Sequence, residues 1–291
     1  MLYIEDQLDP RQFGGLKGNS ISHYLIELIN FVLYNQDFNH PIAVLLCTID
    51  FSKAFNRQNH NILITKLSDM KVPGWLLNII MGFLSNRSMV VRYKGVQTDA
   101  KQLPGGGPQG TLLGLLLFLI LINLCGFDNQ ETNVGKTITN PKKKFTPSTL
   151  HAKYVDDLTL AESINLKESL IPYPERPLPD PFHARTGQKL PADNSAIYQQ
   201  IDKIQGYASD NQMKLNTAKS KFMLFNPTIS YDFIPDLEVE GKKLETVEEM
   251  KLLGVVIRND LKWKSNTDEM TKKAFDRMWM IRRRMEATFL T

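Results

Sequence analysis

Asp156 and Asp157 are adjacent carboxylates that lie between two segments rich in apolar residues, 150–155 and 158–160. The flanking apolar residues lack helical spacing, so the pattern predicts a hairpin with both aspartates at its turn. Two carboxylates at one bend repel each other unless a cation or solvent compensates them, and Mg²⁺ prefers such oxygen ligands. Taken alone, the pair is more typical of a solvated turn than of a metal site, so a metal site needs support from other parts of the chain.

A third carboxylate, Asp50, directly follows the continuous apolar run 41–49, in which Thr48 is the only hydroxyl residue. Such a run predicts a central strand that is buried on both faces and ends at Asp50. Asp50 could cap the following turn. It could also meet Asp156 and Asp157, and that arrangement would complete a metal site.

Two glycine-rich segments could approach a ligand. Gly105–Gly107 lies between two prolines and precedes Gln109 and the uncharged apolar stretch 111–125. This order predicts a turn whose backbone comes close to a ligand at a helix N-terminus, with Gln109 facing it. The stretch 111–125 is shorter than the roughly 20 residues needed to cross a bilayer, so it predicts a buried helix. In the second segment, 12–18, the backbone and Lys17 could approach a phosphate, but a plain turn is equally consistent with the spacing.

The remaining elements must position these groups. Helical spacing predicts helices that begin at Ser20 and near Trp75, a third around 197–208 and a fourth over 267–286. Alternation and turn residues predict a strand over 88–98 with a turn at Lys94-Gly95, and short strands over 221–226 and 237–254.

Composition indicates an ordinary globular protein. The 291 residues are 42% hydrophobic and 23% charged, with a net charge of +4. Cys47 and Cys125 lie in separate apolar runs, which favours reduced core thiols and an intracellular location. The N-terminus lacks a signal-peptide pattern. Segment 251–291 carries ten Lys or Arg against five Asp or Glu, a basic bias typical either of a solvated face or of a polyanion-binding surface.

Three blocks, 50–55, 107–114 with Leu117-Phe118, and 154–157, resemble in order and spacing the catalytic blocks of reverse transcriptases, and most closely those of non-LTR (LINE-like) retrotransposons. Blocks 213–216 with Lys219-Ser220, and 251–255, agree with that resemblance. It implies an α+β right-hand polymerase palm, an antiparallel sheet with helices packed beneath it, with partial fingers and a partial thumb. The implied divisions are 1–40 for the fingers, 41–255 for the palm with inserted loops at about 129–147 and 163–196, and 256–291 for the start of the thumb.

The resemblance also implies the metal chemistry. Asp50 and Asp156 would ligate two Mg²⁺ ions, with Mn²⁺ as a possible substitute. The backbone carbonyl of Phe51 would help hold the nucleotide-side ion, and Asp157 would be the less essential neighbour. Two ions so placed activate a 3′-hydroxyl and neutralise the departing pyrophosphate.

Nucleotide-binding roles carry over to four residues. Phe55 matches the aromatic steric gate that excludes a 2′-hydroxyl, although an ordinary core phenylalanine is the alternative. Gln109 with Gly110 matches the turn that packs near the nascent base pair. Lys219 matches the lysine near the leaving pyrophosphate, with a surface lysine as the alternative.

The implied partners are an RNA template, a DNA primer, deoxynucleoside triphosphates and other domains of a longer element-encoded protein, with no membrane. The predicted primer and template contacts are Tyr154, Leu253, Gly254, Lys273, Arg277 and Arg284. A catalytically silent nucleic-acid-binding remnant and an intron-maturase-like reverse transcriptase remain alternatives. Asn56, Leu115 and Leu124 depart from the family pattern, in which aspartate, proline and aspartate often stand at these places.

Overall fold

A computed structural model describes residues 7–36, 42–123, 125, 149–165, 195–225 and 236–289. Its helices are α1 Ile21–Gln36, α2 His60–Asp69, α3 Gly74–Leu84, α4 Leu112–Leu121, α5 Ala196–Asp210 and α6 Lys264–Phe289, with a 3₁₀ turn at Ala54–Arg57. The strands are β1 Ile42–Ile49, β2 Ser88–Met89, β3 Arg92–Tyr93, β4 Val96–Gln97, β5 Lys101–Gln102, β6 Thr149–Tyr154, β7 Asp157–Asn165, β8 Lys221–Phe225, β9 Glu238–Val239, β10 Lys242–Lys243, β11 Glu245–Thr246, β12 Glu249–Leu252 and β13 Val255–Arg258.

Side-chain caps begin several of the helices. The Ser20 hydroxyl accepts a hydrogen bond from the His23 amide, as the sequence predicted for α1. The Asn59 side chain accepts from two amides of the first turn of α2. The Thr111 hydroxyl accepts from the Gly114 amide and begins α4, so the apolar run forms the buried helix that its composition indicated. Such caps satisfy amides that have no partner within the helix.

Within the described residues, the main sheet has five strands in the order β11, β8, β1, β7, β6. The apolar strand β1 lies at its centre and pairs antiparallel with both β7 and β8. The hairpin of β6 and β7 forms one side of the sheet, and β11 joins β8 in parallel on the other. The prediction of a central strand buried on both faces is therefore confirmed.

Two apolar layers cover the two faces of this sheet. Successive side chains of a strand point to opposite faces, and along β1 Leu45 and Cys47 belong to one layer while Val44 and Leu46 belong to the other. Helices α2, α3, α4 and α5 contribute to the first layer. Helix α1 and the β12–β13 hairpin contribute to the second. Helices on a largely antiparallel sheet give the α+β palm that the sequence predicted.

The predicted strand over 88–98 is only partly correct, because the chain forms the short strands β2, β3 and β4 there. The turn at Lys94-Gly95 is confirmed, with φ of 46° and 83°. Positive φ at both positions is typical of a type I′ turn that joins β3 to β4. Strand β7 extends to Asn165, so the loop predicted from 163 starts inside a strand. The loop predicted at about 129–147 lies outside the described residues.

Both cysteines are free and buried, as predicted for core thiols. None of the helices that the structure describes combines the length and the apolar character needed to cross a bilayer.

Candidate active site

The three predicted catalytic aspartates meet at the ends of neighbouring central strands. In the antiparallel pairing of β1 with β7, Ile49 lies opposite Leu158. Asp50 and Asp157 are the next residues beyond this last pair of the β1–β7 ladder, so the two aspartates lie side by side. Asp156 lies in the hairpin turn, which consists of Val155 and Asp156 because Tyr154 pairs with Asp157. The sequence placed both aspartates at the turn, whereas Asp157 is the first residue of β7.

Burial, and to a smaller extent the charge of neighbouring aspartates, raises the pKa values of two of these carboxyls. Burial raises the pKa of Asp157 to about 6, and the nearby charges of Asp156 and Asp50 add to the effect. The pKa of Asp156 is also raised, chiefly by burial and further by Asp50. Lys219 opposes both shifts. Because burial and the neighbouring negative charges disfavour the ionised form of Asp156 and Asp157, a bound cation would stabilise that form.

Asp50 is held by a segment that precedes β8. The Asn216 side-chain amide donates to Asp50 Oδ2 at 2.9 Å, and the Asn216 backbone amide donates to the Asp50 carbonyl at 2.8 Å. The Asp50 amide donates to the Ser220 hydroxyl at 3.2 Å. Lys219 Nζ lies 3.8 Å from Asp50 Oδ2, although the Lys219 side chain is 73% exposed. These contacts fix the direction of one carboxylate.

The carboxylates fit a hard divalent cation in donor type and charge, because Mg²⁺ binds carboxylate and carbonyl oxygens. Asp50, Asp156 and Asp157 supply the carboxylates, and the Phe51 carbonyl lies one residue after Asp50. Among the described residues, no group of three or more His, Cys, Asp or Glu side chains already has a geometry that could hold a metal ion. The three carboxylates therefore offer the ligand type and the charge that Mg²⁺ prefers. In this structure the Asp50 carboxylate accepts a hydrogen bond from Asn216 and forms an ion pair with Lys219.

Sequence reasoning missed the role of Asn216, although it singled out block 213–216. That block forms a short antiparallel contact with the end of β1, since Phe51 bridges to Leu215 and the Ser52 amide donates to the Lys214 carbonyl at 2.8 Å. The sequence signal that pointed to this block was its agreement with the pattern of the family. Its partner, Asp50, lies 166 residues away in sequence.

The predicted nucleotide-binding residues occupy two further elements. Phe55 lies in the 3₁₀ turn, is half-buried and stacks on Phe118 with ring centroids 4.4 Å apart. Gln109 and Gly110 are exposed in the turn before α4, where Gly110 has a φ of 79°. The stacking of Phe55 fits the core alternative as well as the steric gate, so both readings stay predictions.

The 3₁₀ turn and the glycine-rich segment are joined through their backbones. The Gly107 amide donates to the Phe55 carbonyl at 2.7 Å, and the Gly106 amide donates to the Gln58 carbonyl at 3.0 Å. A Cβ on Gly106, whose φ is 80°, would lie 2.9 Å from the Asn56 carbonyl oxygen. The close approach explains the glycine at that position and keeps Phe55 beside the segment that leads to Gln109.

A cleft of about 530 Å³ lies between the sheet and the β12–β13 hairpin. Its lining includes Asp50, Asp157 and Lys219 from the carboxylate side, and Leu252 and Glu269 from the opposite side. Phe55, Gln109 and Tyr154 do not line it. The structure thus brings Asp50, Asp157 and Lys219 to one cleft, while Asp156 lies in the adjoining hairpin turn and the other predicted nucleotide and primer contacts lie on neighbouring elements.

The predicted primer contacts Leu253 and Gly254 form the tip of the β12–β13 hairpin. Their φ values of 47° and 91° are typical of a two-residue type I′ turn. Tyr154 is half-buried beside the carboxylate turn and makes an edge contact with Tyr24, with ring centroids 6.1 Å apart. Tyr154 therefore packs next to the site, and its predicted contact with the primer or template stays a prediction.

Helix α6 packs against the β12–β13 hairpin at its first turns. The Val256 amide donates to Asn266 Oδ1 at 3.1 Å, and Lys251 forms an ion pair with Glu269. Lys273 lies 2.7 Å from the same Glu269 carboxylate. Lys273, Arg277 and Arg284 are exposed and share one side of the helix by spacing, as the sequence predicted.

A largely antiparallel sheet backed by helices, with three carboxylates at neighbouring strand ends and in the adjoining turn, is the arrangement expected of a nucleic-acid polymerase palm. A model of the family described as reverse transcriptase (RNA-dependent DNA polymerase) matches residues 2–257. The chain belongs to this family. This match, together with two relatives from mobile elements, confirms the resemblance to reverse transcriptase domains of non-LTR retrotransposons.

Two curated relatives come from mobile elements of flies. The probable RNA-directed DNA polymerase from transposon BS of Drosophila melanogaster is 22% identical over 285 residues, covering 97% of this chain and 28% of the relative. The RNA-directed DNA polymerase from mobile element jockey of Drosophila funebris is 23% identical over 251 residues, covering 86% of this chain and 23% of the relative. The chain thus spans about a quarter of the length of these relatives.

The fold also resembles telomerase from Candida albicans, whose structure was solved with the TWJ fragment of telomeric RNA. The TM-score is 0.52 at 13% sequence identity, and the match covers 89% of this chain and 36% of the telomerase chain. At this identity the likeness concerns the fold alone, and it agrees with a polymerase palm.

Proposed function

We propose that this domain is an RNA-directed DNA polymerase that adds deoxynucleotides to the 3′ end of a primer. The observation that carries the proposal is the convergence of Asp50, Asp156 and Asp157 at adjoining ends of β1 and β7. Asp50, Asp156 and the Phe51 carbonyl would hold two Mg²⁺ ions, or Mn²⁺ in their place, with Asp157 as their neighbour. When bound, such ions lower the pKa of the primer hydroxyl and neutralise charge on the departing pyrophosphate.

The residues of the chain contribute mainly positioning and electrostatics. Asn216 and Ser220 orient Asp50. Lys219 lies at the same cleft and supplies a cation toward the leaving pyrophosphate. Phe55 would meet the sugar, and Gln109 with Gly110 would pack near the nascent base pair, because the backbone bonds above keep these two elements together.

An RNA template, a DNA primer and deoxynucleoside triphosphates are the proposed partners, together with other domains of a longer element-encoded protein. In this proposal 1–40 belongs to the fingers, 41–255 to the palm and 256–291 to the start of the thumb. Leu253, Gly254 and Tyr154 would lie at the primer and template. The exposed basic side of α6, with Lys273, Arg277 and Arg284, would contact phosphates.

Primer extension tests the activity. The purified chain is given a poly(rA) template, an oligo(dT) primer, dTTP and Mg²⁺, beside its Asp156→Ala variant. Asp202→Ala, at an exposed position of α5, is the matched control. The proposal expects extension by wild type and by the control, and loss of extension in Asp156→Ala. Extension that persists in Asp156→Ala would contradict the assignment of the carboxylates.

Salt dependence tests the role of α6. We expect Lys273→Gln and Arg277→Gln each to weaken duplex binding regardless of sequence, and to reduce the slope of log affinity against log salt by about one. Lys242→Gln, on the exposed strand β10, serves as the charge-matched control. Slopes equal to wild type in both helix variants would remove α6 from the binding surface.

The engagement of Asp50 by Asn216 and Lys219 favours one second candidate, a catalytically silent nucleic-acid-binding remnant. Duplex binding without extension, equal in wild type and in Asp156→Ala, would select it over the polymerase. An intron-maturase-like reverse transcriptase would use the same carboxylates. Extension that is lost in Asp156→Ala would therefore support a retrotransposon enzyme and a maturase-like enzyme equally.

A further inference from the structure

The buried side chain of Gln12 contacts the turn that carries Asp156. Gln12 is 3% exposed. Its Oε1 accepts hydrogen bonds from the Val155 amide at 2.9 Å and from the Gly14 amide at 3.0 Å, and its Nε2 donates to the Val155 carbonyl at 3.5 Å. One side-chain amide therefore engages both backbone polar groups of a single turn residue.

Val155 is the residue of the turn that needs such support. Its φ is 57°, in the left-handed region that a β-branched residue rarely adopts. Because the hairpin pairs Tyr154 with Asp157, the peptide groups of Val155 have no partner in the ladder. Residues in sparsely populated backbone regions persist where the surrounding structure holds them.

Gln12 is itself firmly held. We name residues 9–14 the N-terminal strap. The Phe13 amide donates to the Lys153 carbonyl at 2.7 Å, and the Lys153 amide donates to the Arg11 carbonyl at 2.9 Å, so the strap runs parallel to the end of β6. Lys153 is 1% exposed and its Nζ lies 2.7 Å from Asp9 Oδ2. The strap is thus fixed to β6 on both sides of Gln12.

The strap also leaves room for the Val155 side chain. A Cβ on Gly14 would lie 2.7 Å from Val155 Cγ2 and 2.7 Å from the Val155 nitrogen. Only a glycine at position 14 permits this approach without displacement of the turn. The polar contacts of Gln12 and the packing at Gly14 therefore act on the same residue.

We propose that Gln12 is a positioning residue: it locks Val155 in the left-handed conformation and so fixes the directions in which the Asp156 and Asp157 carboxylates point. In the sequence, segment 12–18 indicated either a phosphate-binding loop or a plain turn, and this proposal gives it a different role. It rests on the proposed polymerase function for its catalytic consequence, and on the geometry of the strap for its structural one.

The catalytic test compares wild type with Gln12→Met, which keeps the length of the side chain and removes its amide. We expect kcat for dTTP addition to fall about tenfold, with KM for dTTP within about twofold of wild type, because misplaced carboxylates affect the chemical step. Adding Val155→Gly to Gln12→Met should restore most of the lost kcat, since glycine adopts a positive φ without help.

Gln200→Met, at a buried glutamine of α5, is the matched control and should keep the wild-type kcat. Equal kcat in Gln12→Met and wild type would overturn the proposal. A loss in Gln12→Met that Val155→Gly does not relieve would also overturn it, because the residue would then act on overall folding.

Amide hydrogen exchange, read residue by residue by NMR, separates this proposal from the activity. If wild type fails to extend primers, the proposed function fails, and the exchange data alone then test whether Gln12 holds Val155. We expect Gln12→Met to speed exchange of the Val155 amide about tenfold while the Leu158 amide, inside the ladder, keeps its wild-type rate. Unchanged exchange at Val155 would overturn the role of Gln12 whatever the activity shows.

Discussion

The Asn216 side-chain amide donates a hydrogen bond of 2.9 Å to the Asp50 carboxylate, and so ties block 213–216 to the end of the central strand. Asp50 Oδ2 accepts this bond and also lies 3.8 Å from Lys219 Nζ. A single carboxylate oxygen thus accepts one hydrogen bond from a neutral amide and lies within ion-pair distance of one ammonium group. The orientation of Asp50 therefore depends on Asn216, a neutral side chain that adds no negative charge for a metal ion.

Replacing Asn216 should therefore lower polymerase activity without unfolding the chain. We expect Asn216→Ala to reduce kcat about tenfold, because the Asp50 carboxylate loses the donor that orients it. Asn216→Asp should be more severe, since it sets a like charge beside Asp50. Primer extension measures both, with Asn61→Ala on the exposed side of α2 as the control. Wild-type rates in both Asn216 variants would show that the bond has no catalytic role.

Gly14 should be intolerant of a side chain. Gly14→Ala places a methyl group 2.7 Å from Val155 Cγ2, and such overpacking destabilises a core by about 1–3 kcal/mol. Urea unfolding should show this loss. Gly82→Ala is the matched control, because nothing lies within 4 Å of its Cβ. As a helix-interior position of α3, it should gain up to about 1 kcal/mol. Equal stability of the two variants would contradict the close approach.

The ion pair of Lys153 with Asp9 is buried, with side-chain exposures of 2% and 4%. Burial raises the pKa of Asp9, but the Lys153 and Arg11 charges outweigh that effect and lower it. We expect Lys153→Met to destabilise the fold by about 3 kcal/mol, because it leaves a buried carboxylate with one partner fewer.

Urea unfolding measures this loss as well. The control is Lys243→Met, which breaks an exposed pair with Asp236 at the same 2.7 Å distance. That variant should change stability by less than about 1 kcal/mol. Similar losses in the two variants would mean that burial does not strengthen the Lys153 pair.

His151 should make the fold sensitive to mild acid. Burial lowers its pKa to about 4, the Arg11 charge adds to the shift, Lys203 and Lys153 add smaller effects, and Asp9 opposes them. Since the unfolded imidazole has a pKa near 6.5, it binds a proton between pH 6.5 and 4 that the folded form does not. Stability is therefore fully present above pH 6.5 and falls toward pH 4, by roughly 3 kcal/mol from this group.

The His151→Gln variant tests this dependence, because glutamine cannot take up a proton in that range. We expect its unfolding free energy to change less between pH 6.5 and 4 than that of wild type. A curve with the same slope as wild type would assign the acid sensitivity to other groups.

Local patterns in the sequence predicted the elements that are continuous along the chain. The apolar run before Asp50 specified β1, because only a central strand buries both faces, and the uncharged run after Thr111 specified α4. The carboxylate hairpin followed from residues on either side of it. Each of these predictions needed only neighbouring residues.

The contacts that hold the site could not be predicted in this way. Gln12 meets Val155 across 143 residues, and Asn216 meets Asp50 across 166. The burial of Lys153 depends on its ion pair with Asp9, which belongs to a distant segment of the chain. Such pairs depend on the register of the assembled sheet, which no local pattern contains. The roles of Phe55, Gln109 and the basic side of α6 stay predictions.

The N-terminal strap has a consequence for association between chains. Among the strands that the structure describes, β6 is the last on its side of the main sheet, and unpaired edge strands are templates for aggregation. The backbone bonds of Arg11 and Phe13 to Lys153 occupy that edge beside the turn that carries Asp156. The same residues that hold Gln12 in place therefore shield a sheet margin on which a second polypeptide could otherwise add a strand.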